Sequence, residues 1–218
     1  MEYFSITKTD EGFHVEGFPN AVKVLRISGP KAKRLSNLAL HKDDLDFALE
    51  CLEAINRTTE RIVRQALWRS AIVHFAKCFG QSQSRFALDP EKVYKGDHDG
   101  LTVFEYFRDL RDKHIVHDEN TYSQCLPGAV LNQKEAGHKI EKIVCLSVIA
   151  DTLHQDAYAD LHLLITRARE WVISQFDTLC NVLTTDLESA SYGDLINREG
   201  ITYTPYKTTE VAITRDKP

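Results

Sequence analysis

From Asp43 to Phe79 the chain runs for roughly thirty-five residues without a proline or a glycine. Leu45, Leu49, Leu52, Ile55, Thr59, Ile62, Ala66, Val73 and Ala76 recur through it at three- and four-residue steps, the spacing of one helix face. Asp43 or Asp44 can cap its start, and Gly80 ends it. A second such stretch, Asp156 to Leu187, carries Leu161, Leu164, Ile165, Ala168, Trp171, Val172, Phe176, Leu179, Val182 and Leu183. Mean globular helices run to about 10–14 residues, so two segments this long predict a mainly α, up-and-down helical bundle or a helical dimer.

The other segments read as additions to those helices. Tyr3–Thr7 and Phe13–Val15 alternate around Thr9–Gly12 as a hairpin would, Ala21–Ile27 has strand composition, and Gly29-Pro30 breaks it before a short helix, Lys31–Leu40. Gln81–Gly100 is a polar connection. Pro127-Gly128 punctuates, and Ala129–Leu131 with Ile140–Ile149 predict a peripheral β-hairpin around Lys134–Gly137. From Ser189 the pattern shortens into an extended tail. The predicted organisation is therefore residues 1–42, strands and a basic helix; 43–187, the bundle with its hairpin; and 188–218, the tail.

Charge and cysteine usage narrow the class. The net charge of -5 argues against a chain that binds nucleic acid through its overall charge. Yet Gly17–Lys42 contains no acid and six bases, Lys23, Arg26, Lys31, Lys33, Arg34 and Lys42; this is either a solvated surface or a local phosphate-contacting patch. Five scattered cysteines with no Cys-x-x-Cys predict reduced thiols and a cytoplasmic setting. No apolar run is long enough for a membrane span, and the N-terminus lacks the basic and apolar regions of a signal peptide. P-loop, dinucleotide-binding, zincin and Gly-x-Ser-x-Gly signatures are all absent, and no cofactor is implied.

The densest run of ionisable side chains is Arg108–Asn120, RDLRDKHIVHDEN, at the end of a helix capped by Asp99 or Thr102. At 100° per residue with Arg111 at zero, Phe107 lies near -40°, His114 near -60°, Leu110 near -100° and His117 near -120°. Both histidines then share the apolar face with Phe107 and Leu110. Arg111 borders that face, and Asp118 shares its azimuth. Three chemistries fit: a satisfied core histidine beside an Arg111–Asp118 ion pair; metal binding by His114, His117 and Asp118, for which no further ligand is well spaced; or phosphodiester cleavage. For the last, histidine can move the protons of the 2'-hydroxyl and the leaving 5'-oxygen, and arginine can stabilise the charge on the phosphorane. Arg111 and His117 are the minimum set. They lie about 120° apart on one helix, so two copies across a two-fold axis make a better site than one.

Arg111-Asp112-Lys113-His114-Ile115-Val116-His117 resembles the signature of HEPN domains, an arginine, a polar residue and a histidine with four to six residues between the two; five intervene here. Long helices before and after the motif match as well, over roughly residues 40–187. The run is most similar to stand-alone abortive-infection-type HEPN proteins. The resemblance implies an up-and-down bundle, a homodimer formed through the motif helices, and metal-independent endoribonuclease activity in toxin–antitoxin or antiphage systems, with RNA and a cognate antitoxin protein as partners and no membrane. It also implies that Arg111 contacts the scissile phosphate, His117 is the acid or base, Asp112 orients one of them and His114 supports them. Non-catalytic HEPN modules that bind or dimerise are the alternative, and Arg108 with His114 is a second frame of the same spacing. The stretch 105–120 holds five acids against three Lys or Arg, so RNA contact would draw on Lys31, Lys33 and Arg34.

Overall fold

The computed structural model of the chain describes residues 6–9, 12–202, 205 and 207–213. The fold is mainly helical. In order it runs β1 (Ile6–Thr9), β2 (Gly12–Val15), α1 (Pro30–Ile55), α2 (Arg61–Lys77), α3 (Pro90–Val93), α4 (His98–Leu110), a π-helical segment (Arg111–Val116), β3 (Ser123–Leu131), β4 (Ile140–Ile149), α5 (Gln155–Glu188) and α6 (Tyr192–Ile196). A 3-10 turn, Thr208–Glu210, follows. Two compact units divide the chain: one of residues 1–44, 80–88 and 168–218, the other of 45–79 and 89–167. The boundaries fall inside α1 and α5. Among the described residues no helix is long and apolar enough to cross a membrane.

In the first unit the core of α1 holds Leu38 beside buried polar groups. Arg85 donates to the Asp44 carboxylate at 2.7 Å and to the Leu40 carbonyl at 3.1 Å, which satisfies a guanidinium only a tenth exposed. His41 Nε2 bonds the Phe86 carbonyl at 2.9 Å, and Arg34 lies over the Phe86 ring. Only Leu25 of the expected strand Ala21–Ile27 makes a ladder pair, with Gly200. Arg26 N–H to Glu199 and Ile201 N–H to Val24 extend that contact, so the segment expected to be an extended tail bears α6, capped by Ser191, and then returns to the N-terminal segment. In the N-terminal hairpin Ile6 faces Val15 and Thr9 faces Gly12; Tyr3, Phe4, Ser5, Asp10 and Glu11 lie outside the described residues.

The second unit is built on an aromatic core. Trp68, Ile72 and Phe75 of α2 pack with Phe104 and Phe107 of α4, and Tyr94 stacks on Phe79. Its polar atoms are satisfied: Trp68 Nε1–H donates to Thr152 Oγ1 at 3.0 Å, and Tyr94 O–H donates to the Leu164 carbonyl at 3.1 Å. Burial pushes the Tyr94 phenol up, out of its ordinary range, so it stays a donor.

Two helix expectations are corrected. The short helix Lys31–Leu40 and the long helix from Asp43 do not stop and restart: α1 is continuous from Pro30, whose fixed φ suits the first helical position. The long helix instead ends at Ile55 and α2 begins at Arg61. Thr58 Oγ1 takes the Glu60 N–H at 3.2 Å, a local bond that competes with the helix ladder. Arg64 then reaches back to the Ile55 carbonyl at 3.1 Å, placing a cation on the open end of α1. The predicted α5 (observed Gln155–Glu188) and the 129–149 hairpin are present, with β3 beginning earlier, at Ser123.

Candidate functional site

The charged run is delivered by α4, which starts one cap earlier than the sequence suggested. Asp97, rather than Asp99 or Thr102, is the N-cap, accepting from Gly100 N–H at 2.9 Å. That bond and the Arg167 guanidinium hold the Asp97 carboxyl below its usual range. Phe104, Phe107 and Leu110 then anchor the apolar face of α4.

At Arg111 the helix widens to i→i+5 bonding. His117 N–H donates to the Asp112 carbonyl at 3.2 Å, and a still wider bond, Glu119 N–H to the Lys113 carbonyl six residues back at 2.6 Å, closes the end. Asp118, at φ 52°, ends the segment in the left-handed region. This backbone corrects the azimuths. His114 is buried, as an α-helix would have it, but the wider π turn swings His117 out into solvent. Arg111 pairs with neighbouring Asp112 rather than with Asp118.

The motif side chains therefore have different environments. His114 is 8% exposed, its ring edge-on to Tyr122 at 5.5 Å, and its Nδ1 is buried without a hydrogen-bond partner. Burial first, then the Arg69 guanidinium, lowers its pKa below 6.5, with Asp118 opposing them. The imidazole is neutral at neutral pH. Arg111 is half-buried and donates from Nη1 to Asp112, while its Nε is enclosed without a partner. His117 is exposed, and among the described residues its side chain has no hydrogen bond or ion pair. In the alternative frame Arg108 is engaged with Glu105 and Asp109, and its histidine, His114, is the buried one. Lys113 is tied to Asp109 at 3.4 Å.

Sequence reasoning missed Arg69. It projects from α2, which packs against the π segment, and it is the cation next to His114. It also lines a groove of about 610 Å³ with Arg61, Ile62, Gln65, Ile149 and Asp151. The signal was available: Arg61, Gln65 and Arg69 repeat at four-residue steps, a polar stripe on a helix otherwise read for its apolar one.

The basic segment sits in the other unit and is largely countered there. Lys31 pairs with Asp186 at 2.5 Å, Arg26 with Glu199 at 3.4 Å, and Lys23 donates to the carbonyls of Ile196 and Arg198. Arg34 stacks 4.9 Å from the Phe86 centroid, Lys42 is buried and Lys33 is half-buried. Among the described residues no group of three or more His, Cys, Asp or Glu is arranged to hold a metal ion. Compared with known proteins, the chain matches no family model, no curated protein and no solved structure.

Proposed function

We propose that the chain is a HEPN-like, metal-independent endoribonuclease of toxin–antitoxin or antiphage type, cutting RNA at a site composed from two copies. One observation carries the reading: Arg111 and His117 both reach solvent around a π segment, while His114 between them stays buried and neutral. π-helical turns recur at functional sites because they re-aim side chains that a regular helix would bury. A single copy offers one exposed motif histidine, whereas transesterification needs a base and an acid. In the dimer, His117 of one copy takes the proton of the 2'-hydroxyl as that oxygen attacks phosphorus. His117 of the other gives a proton to the departing 5'-oxygen. The products are a 2',3'-cyclic phosphate and a 5'-hydroxyl. The two Arg111 guanidiniums, each held by Asp112, stabilise the charge on the phosphorane oxygens. Lys31, Lys33 and Arg34 contribute contacts to RNA phosphates, and a cognate antitoxin protein is the regulating partner.

The test is RNA cleavage by the purified protein in EDTA, wild type beside His117→Ala, with the product ends mapped. Cutting by wild type alone, leaving cyclic phosphate ends, supports the reading. Absence of cutting across a broad RNA panel turns it to the second reading, a non-catalytic HEPN-like dimerisation or interaction module. One observation favours that second reading: a β-hairpin with exposed apolar side chains on both faces.

A further inference from the structure

The β3–β4 hairpin is a two-stranded ribbon with little helix packed against it among the described residues, and nearly every one of its strand residues is exposed. The register divides its faces. Leu126, Val130, Val144, Leu146 and Val148 lie on one face; Cys125, Pro127, Ala129, Ile143, Cys145 and Ile149 lie on the other. Leu146, Ile143 and Ile149 are 63%, 67% and 64% exposed. An isolated two-stranded ribbon is marginal in water, and three or more strands with an apolar face are needed for stability.

The two free edges differ. Ala150 N–H bonds the Tyr122 carbonyl at 2.7 Å, which makes that pair a hydrogen-bonded one. By alternation along the register, Leu126 with Leu146 and Gly128 with Val144 are hydrogen-bonded pairs, whereas Pro127 with Cys145 is not. The ring nitrogen of Pro127 therefore faces out of the sheet, and the outer edge of β3 lacks a donor at its centre. On β4 the outward groups are those of Ile143, Cys145 and Ser147, and all three can donate. One edge is blunted and the other is open.

We infer that the open edge of β4 pairs antiparallel with β4 of a second copy, about a two-fold axis through Cys145, giving a four-stranded sheet in the order β3-β4-β4-β3. The axis is placed at Cys145, the middle of the three outward donors, where the two Lys142 side chains also stay apart. Centred on Cys145, each outward residue meets an outward residue of the other copy: Cys145 meets Cys145, and Ile143 meets Ser147. Lys142 then lies beside Val148, far from its own symmetry mate. Centring on Ile143 would make the two Lys142 side chains diagonal neighbours. The irregularity at Glu141, where the β4 register slips, ends the pairing. Leu126 and Leu146 of one copy continue into Val144 of the other, so one apolar band crosses all four strands. The assembly also closes, because the edges left at its rim are the two that Pro127 blunts. A strand edge with its flanking side chains buries less than the roughly 800 Å² per partner of a tight interface, which makes this a dissociable dimer. The inference is independent of RNA cleavage.

Sedimentation velocity of the full chain at tens of micromolar is expected to show self-association that is lowered by Cys145→Pro, whether or not the two motif segments also pair. That variant blunts β4 as Pro127 blunts β3 without removing a bond inside the hairpin. A short bis-maleimide supplies a second measurement, should Cys145→Pro fold poorly. It is expected to couple two wild-type chains, to fail with Cys145→Ser and to succeed with Cys125→Ser. A wild-type monomer at these concentrations overturns the inference, and the edge then serves a strand from a different partner. Self-association unchanged by Cys145→Pro, or coupling that persists equally well in Cys145→Ser, also overturns it.

Discussion

The aromatic core of the second unit and the π segment beside it bury polar atoms on opposite terms. In the core, the indole N–H of Trp68 and the hydroxyl of Tyr94 each have a partner at about 3 Å. In the π segment, His114 Nδ1 and Arg111 Nε are enclosed with none. A buried polar atom without a partner is costly, about 1–3 kcal/mol, and native structures hold few of them. The core polar groups fix packing. Those of the motif are left unpaired, and the backbone departs from regular geometry at the same place, in the π turn and the left-handed Asp118.

The strongest way to break this contrast is to separate activity from stability. His117→Ala is expected to reduce RNA cleavage by at least about 100-fold, the contribution of a positioned acid or base, while leaving the melting temperature unchanged, since the side chain is exposed. Phe107→Ala, on the core side, is expected to behave oppositely. Phe107 is fully buried between Trp68 and Tyr106, and the truncation is expected to remove about 3–5 kcal/mol, read by denaturant unfolding. If His117→Ala lowered stability as Phe107→Ala does, the motif would be ordinary packing.

The next pair is sharper because it compares like with like. Tyr94→Phe removes a buried hydroxyl that donates to the Leu164 carbonyl, and is expected to cost about 1 kcal/mol. His114→Phe removes a ring nitrogen that has no partner, and its stability is expected to equal or exceed wild type at neutral pH. The pH dependence has a definite sign. The folded state holds His114 below 6.5, so the unfolded chain binds that proton more readily. The contribution is complete above 6.5 and is lost as the pH falls below it. The melting temperature of wild type is therefore expected to drop more than that of His114→Phe between about pH 7.5 and about pH 5.5. Cleavage that persists in His114→Phe and vanishes in His117→Ala selects Arg111/His117 over Arg108/His114 as the working pair.

The same contrast explains what could be read without coordinates. α5 was legible almost to the residue because its stripe, Leu161 through Leu183, is long, regular and uninterrupted. The break between α1 and α2 was not, because it depends on what Thr58 and Arg64 bond to, and a threonine in a helical period looks like any other small residue. Pro127-Gly128 read as punctuation lies inside β3, where proline is tolerated because its nitrogen faces out of the sheet. In the motif, the burial of His114 followed from helical spacing. The exposure of His117 did not, since a π turn is a property of the backbone under load rather than of residue period. Arg69 stayed hidden because its role comes from α2 packing beside the π segment.

The smallest expected effect concerns Asp118, and it tests whether backbone or charge sets the end of the motif. A left-handed conformation costs an ordinary L residue about 1–2 kcal/mol, and aspartate and asparagine less because their short side chains bond locally. The Asp118 carboxylate also raises the His114 pKa against the larger effects of burial and Arg69. Asp118→Asn keeps the conformational tolerance and removes the charge. Its stability at neutral pH is expected to stay within about 0.5 kcal/mol of wild type, a surface-substitution effect. The His114 imidazole, followed by NMR titration, is expected to move further down. Asp118→Ala removes both and is expected to lose about 1 kcal/mol. Asp118→Gly relieves the left-handed turn and is expected to match or exceed wild type. A stability order of Gly, then Asn, then Ala assigns the helix end to backbone conformation. If Asn fell as far as Ala, the carboxylate itself would be holding the segment, and the neutrality of His114 would then be a balance of charges more than a consequence of burial.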